Sequence, residues 1–164
     1  MKKLLLAIIC LVGVSFAGSY DRSDWIKPSQ WAKARKHTLD RQRIGNFWIC
    51  EYSLDTIRQS RQLDIDHIVP LKYAQEHGGD KFTSDQKHAF ATDDSNLVAV
   101  NEHENRAKGD KGVLQYMPPN NQCFYLRHWY YMTNKFKLTI SPEESGYIQR
   151  GLKGCNDPIL NKKF

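Results

Sequence analysis

Apolar and polar positions recur along the chain in patterns that predict a series of short elements. Residues 31–44 set Trp31, Leu39 and Ile44 among charged neighbours and predict a helix that Gly45 stops. Residues 18–30 carry no such period and read as irregular. The run FWICEYSLDTI, residues 47–57, is rich in aromatic and branched side chains and predicts extended chain. The polar connector RQSRQ follows, and then LDIDHIVP, a strand by content that Pro70 ends. LKYAQEHGG gives one or two helical turns broken by Gly78 and Gly79, and TSDQKHAFATD a short helix starting near Thr83 or Ser84. DSNLVAV is a second strand. Asn101, with Glu104 three residues on, heads a short helix that Gly109 closes. Beyond the loop MPPNN, residues 120–137 predict a helix despite their aromatics. Ser141, Pro142 and Glu144 start a last helix that reaches about Leu152. The order is that of an α+β fold. A strand, an irregular excursion, a strand and a short helix occupy residues 63–109, and flanking helices, including a pair over about 120–154, must supply the remaining core.

The opening residues stand apart from this pattern. MKKLLLAIICLVGVSFA places two lysines before a long apolar run that ends in Ser15-Phe16-Ala17. This predicts a signal peptide over residues 1–17, with a single domain over 18–164 that is secreted or periplasmic and no longer membrane-associated. The alternative, a retained anchor, has a short apolar run and no stop-transfer flank. Loss of Lys2 and Lys3, with no acid, takes the net charge from +6 to +4, which permits a polyanionic partner without requiring one. Local charge says more. Lys33, Arg35, Lys36, Arg41 and Arg43 face one acid, Asp40, and read as a solvated helix face. Arg106, Lys108 and Lys111 cluster around Asp110.

Three cysteines remain beyond the leader, Cys50, Cys123 and Cys155, so at least one stays outside any intramolecular bridge. Cys123 and Cys155 are the preferred pair, because each sits at one end of a C-terminal helix and a bridge would clip the two together. Closing that loop contributes roughly 2–4 kcal/mol in the chain-entropy account.

Asp66 and His67 are the least expected residues in the first strand. Strand alternation sends them to opposite faces, so they share a site only where the strand ends or bends, and Pro70 places an ending nearby. Asp66 offers a hard oxygen to a divalent cation, and His67 can take a proton from water when neutral. The Asn96 amide can hold the loop or the ring, and Asn105 can bring a second oxygen from the short helix. Asn101 is explained by its capping position. His103 reads as a surface residue, His37 and His128 as structural or solvent-facing, and His77 and His88 lie on an excursion that must pass near the site. A contact between His128 and Tyr131 follows from helical spacing. Phe124, Trp129, Tyr130 and Tyr131 read as core.

LDIDHIVPL, then FATDDSNLVAVNEHENRAKGDKG, then MPPN, resemble the secreted branch of the HNH endonucleases, the His-Me finger or ββα-metal nucleases. The similarity runs from Leu63 to about Asn120 and extends through Cys123, Trp129, Lys135, Leu138, Glu144 and Cys155, with a weaker match before residue 45. The resemblance implies a small ββα-metal core embedded in flanking helices. It implies His67 as general base, Asp66 and Asn105 as metal ligands, and Asn96 as support of the base and its loop. Asn105 stands where the family name implies histidine. All-oxygen ligands favour magnesium, with manganese or calcium as alternatives, and disfavour zinc. The implied enzyme hydrolyses phosphodiester bonds and leaves 5′-phosphate and 3′-hydroxyl ends. DNA is the expected substrate, little sequence specificity is expected because no sequence-reading motif is visible, and a monomer is expected. Arg106 is then a candidate transition-state clamp, unless it pairs with Asp93 or Asp94, and Lys108 and Lys111 are candidate phosphate contacts. An RNase of the same fold and a catalytically inactive nucleic-acid-binding module are the alternatives.

Overall fold

A computed structural model describes residues 19–155. The signal-peptide expectation for residues 1–17 therefore lies outside the described residues. Among the described residues, no helix is long and apolar enough to cross a membrane. The elements, in chain order, are α1 (Pro28–Gln42), β1 (Trp48–Ile49), β2 (Thr56–Ile57), β3 (Leu63–His67), α2 (Leu71–Glu76), α3 (Ser84–Ala91), β4 (Leu97–Asn101), α4 (Glu102–Lys108), α5 (Gln122–Lys135) and α6 (Pro142–Lys153). This is a mixed α/β fold with small antiparallel sheets, broadly compatible with a ββα-type core.

The segment read as irregular carries more order than its composition suggests. Asp21 accepts from the Ser23 amide at 2.8 Å and starts a 3-10 turn over Arg22–Asp24. Trp25 and Ile26 then bury themselves in the main core. Helix α1 begins three residues earlier than predicted, at Pro28, whose fixed φ suits a first helical position. The Gln30 side chain accepts from the Lys27 amide and satisfies a donor there.

The predicted extended segment 47–57 is two short strands rather than one. β1 and β2 pair antiparallel, and the chain turns between them, where Leu54 adopts φ 64° and its amide bonds the Cys50 carbonyl. A left-handed leucine is unusual, and no turn-forming residue at 54 announces it.

β3 and β4 pair antiparallel in the register Leu63 with Asn101 through His67 with Leu97. Alternation gives this ribbon two different faces. Leu63, Ile65, Leu97 and Ala99 pack with Leu39 of α1 and with Trp48. Val98 and Val100 join the main core with Tyr52, Phe90, Tyr125, Trp129 and Ile148. Helix α1 is also fastened through polar groups. Arg35 donates to the Leu63 carbonyl, Arg41 to the Leu97 carbonyl, and Gln42 accepts from the Ala99 amide. The basic run is therefore more than a solvated face, since two of its arginines close strand-end carbonyls.

The C-terminal pair forms as expected. Ser141 and Glu144 exchange reciprocal capping bonds at the start of α6. Leu126 of α5 packs so closely on Gly151 that a Cβ there would lie 2.3 Å from it. Cys123 and Cys155 form a disulfide with Cα atoms 5.7 Å apart, and Cys50 is free and buried. Trp129 is fully buried, while Tyr130 reaches solvent.

Candidate active site

Asp66 and His67 emerge on opposite faces of β3, and both line one pocket of about 240 Å³ because the strand ends there. Tyr20, Arg22, Asn105 and the Lys72–Asp110 ion pair complete its polar wall. Asn96, wholly buried, fixes the chain just past the strand end. Its carbonyl oxygen accepts from the Val69 amide at 2.8 Å, and its amide donates to the Val69 carbonyl. Asn96 thus holds the loop just past the strand end.

His67 lies on the α1 side. Its ring stacks on Trp31 with centroids 5.2 Å apart. Nε2 lies 2.9 Å from the carbonyl of Ala91, the last residue of α3. A carbonyl only accepts, so Nε2 carries the proton and Nδ1 keeps the lone pair. Burial, with a smaller contribution from the Arg22 and Lys108 charges, pushes the imidazole down to about 3. The ring is therefore a neutral imidazole of fixed tautomer.

Asp66 lies on the other side, against α4. Tyr52 donates its hydroxyl to the carboxylate at 2.7 Å, and the Lys108 ammonium lies 3.0 Å away. Lys108 is fully buried and also donates to the His67 carbonyl at 2.8 Å. Burial pushes the Asp66 carboxyl up and the Lys108 ammonium down, and each is drawn back by the other. One turn earlier on α4, the Asn105 amide donates to Asp64 at 2.9 Å. Two helix residues three apart thus meet two strand residues two apart.

Several expected residues sit elsewhere. Lys108 is interior, so it reaches Asp66 and not a phosphate on the surface. Arg106 points to solvent and pairs with Glu102, rather than with Asp93 or Asp94. Lys111 is exposed and donates to the Ala107 carbonyl. Asn101 caps α4 through the Glu104 amide, while the Glu104 carboxylate turns to Tyr116. His77 stacks on Tyr73, and His128 bonds the Phe124 carbonyl. Neither lines the pocket, nor does His88. The excursion between the strands contributes the Ala91 carbonyl instead, an acceptor that no side-chain pattern reveals.

The donor set fits a hard divalent cation. Asp66 and Asn105 bring oxygen-bearing side chains to one pocket, and no thiol lines it. The donors around it leave the Asp66 carboxylate with unused lone pairs, and the Asn105 bond engages its nitrogen and not its carbonyl oxygen. Among the described residues no three His, Cys, Asp or Glu side chains converge on a common point. A cation here would rest on two side chains and water, which is the habit of magnesium.

A sequence relative in Arthroderma benhamiae, described as an uncharacterized secreted protein, is 34% identical over 112 residues. That match covers 66% of this chain, and the chain spans about half (55%) of the relative's length. No solved structure was found to match. The sequence model for the C-terminal domain of GmrSD restriction endonucleases matches residues 21–150, taking in the N-terminal turn as well as the ribbon and the C-terminal helices. Matched over most of its length, the chain belongs to the family of GmrSD restriction endonuclease C-terminal domains.

Proposed function

We propose that the chain is an exported, metal-dependent endonuclease that hydrolyses phosphodiester bonds in DNA with little sequence specificity. One observation carries this reading. A neutral imidazole of fixed tautomer, His67, shares an open pocket with the oxygen-bearing side chains of Asp66 and Asn105. Family membership supports the nuclease class, and the secreted relative supports export.

His67 Nδ1 takes a proton from a water molecule, and the resulting hydroxide forms the new bond to phosphorus. The bond from phosphorus to the 3′-oxygen breaks, and that oxygen takes up a proton from solvent. The products are a 5′-phosphate and a 3′-hydroxyl. The Ala91 carbonyl stabilises the imidazolium through Nε2–H while Nδ1 holds the proton. Asp66 and Asn105 would hold the cation, which supplies charge neutralisation at the phosphate and leaving oxygens. Asn96 and Trp31 keep the strand end and the ring in place.

The test is plasmid nicking by the mature protein across magnesium, manganese, calcium and zinc, with end-group analysis and an RNA substrate alongside. The expected outcome is cation-dependent nicking with 5′-phosphate ends that His67→Ala abolishes. Equal loss of substrate with wild type and His67→Ala would point to a contaminant and sink the assignment. DNA binding without cleavage would favour the inactive module.

A further inference from the structure

We infer that Arg22 is the cationic group that grips the scissile phosphate in this pocket, an inference that rests on the nuclease reading above. The pocket is lined by two cationic side chains, Arg22 and Lys72. Lys72 is already tied to Asp110 at 2.8 Å. Arg22 is exposed and, among the described residues, has no carboxylate partner. Its guanidinium carbon instead lies 4.7 Å from the centre of the Trp31 ring.

That placement suits phosphate. A guanidinium resting on an aromatic face keeps its planar fork of N–H donors free at the edge. The indole that carries it is the same one on which His67 stacks. Trp31 thereby fixes both the proposed base and the proposed clamp. The backbone beneath Arg22 is fixed as well. The Asp21–Ser23 bond sets the 3-10 turn, the Trp25 and Ile26 amides both bond the Arg22 carbonyl, and both side chains are buried. Arg106, the other candidate, is turned to solvent on the outside of α4 and held by Glu102.

In hydrolysis, charge grows on the non-bridging oxygens as the water adds. A fork already in place stabilises that charge without reorganising. The first ordered turn of the described chain thus completes a site whose base and metal side lie more than forty residues further on.

The experiment compares Arg22→Ala, Arg22→Lys, Arg106→Ala and His67→Ala on plasmid with magnesium. The expected result is a loss of about 10²-fold in kcat/KM for Arg22→Ala. Arg22→Lys should recover about tenfold of it, and Arg106→Ala should stay within about twofold of wild type. Binding of uncleaved DNA is measured in the His67→Ala background. There, adding Arg22→Ala should weaken affinity and lower the slope of log affinity against log salt by about one. Cleavage by Arg22→Ala at the wild-type rate overturns the inference and leaves the nuclease reading standing. Slower cleavage with unchanged affinity and salt slope, which Arg22→Lys does nothing to recover, also overturns it, because it marks a structural role. A wild-type protein that leaves plasmid intact with every cation overturns both.

Discussion

The two faces of β3 solve different electrostatic problems with adjacent residues. On the α1 face, His67 is kept uncharged by burial against an indole and is aimed by one backbone carbonyl. On the α4 face, Asp66 is also buried, and an interior ammonium and a phenol oppose the burial that pushes its carboxyl up. The first arrangement leaves a neutral imidazole that needs no counter-ion. The second surrounds a buried carboxylate with donors at the cost of committing a lysine to the core. Disturbing the first should therefore be felt in rate, and disturbing the second in folding.

His67→Ala puts this difference between the faces to its most severe test. Loss of a general base should lower cleavage by about 10²–10⁴-fold. The melting temperature should fall less than in Asp66→Ala, and a larger fall would erase the distinction between the faces. Asp66→Ala strands Lys108 in the interior and should cost about 3–5 kcal/mol in urea unfolding. Adding Lys108→Met should return most of that stability without returning activity. A double variant no more stable than the single one would show that Lys108 is not answering Asp66.

Asp64→Ala sharpens the picture on the α4 face. It frees the Asn105 amide that Asp64 now holds. A group that orients a metal ligand typically matters by about tenfold or more. The expected signature is a magnesium requirement shifted upward by about tenfold with little change in stability. An unchanged magnesium dependence would count against Asn105 as a ligand.

A last test concerns pH. His67 is held near 3, whereas an unfolded histidine titrates near ~6.5. Between those values the unfolded chain binds more protons than the folded one, so stability rises with pH. The contribution is whole above about pH 6.5 and is lost as pH falls toward 3, by about 1.4 kcal/mol per unit at most. Urea midpoints at pH 7, 5.5 and 4.5 in EDTA should fall more steeply for wild type than for His67→Ala. Parallel slopes would contradict a buried neutral ring.

Much of this was legible from alternation alone. Placing Asp66 and His67 on opposite faces of a strand that stops near Pro70 requires only period two and a proline, and Asn96 follows from its place opposite the strand end. The α6 cap and the disulfide follow from residue type and position. What was hidden has physical causes. Lys108 looks like a surface charge, because nothing in NRAKGD marks an ammonium as interior. The Asp64–Asp66 spacing beside two helix residues three apart was the available clue. Ala91 contributes a backbone carbonyl, which no side-chain pattern reports. Arg22 was masked by the polar residues around it, although Trp25 and Ile26 signalled an anchored segment. Segment 47–57 reads as uninterrupted extended chain because its turn places a leucine where glycine is usual.

Cys50 turns this architecture into its own gauge. Its thiol is wholly shielded, accepts from the Asn101 amide at the head of α4, and lies two residues before Tyr52, which holds Asp66. An alkylating reagent reaches such a sulfur only when that region opens, so labelling kinetics read out the opening free energy of the α4 side directly. The same sulfur, being sealed from its two bridged counterparts, is kept out of scrambling with them for as long as the fold stays shut.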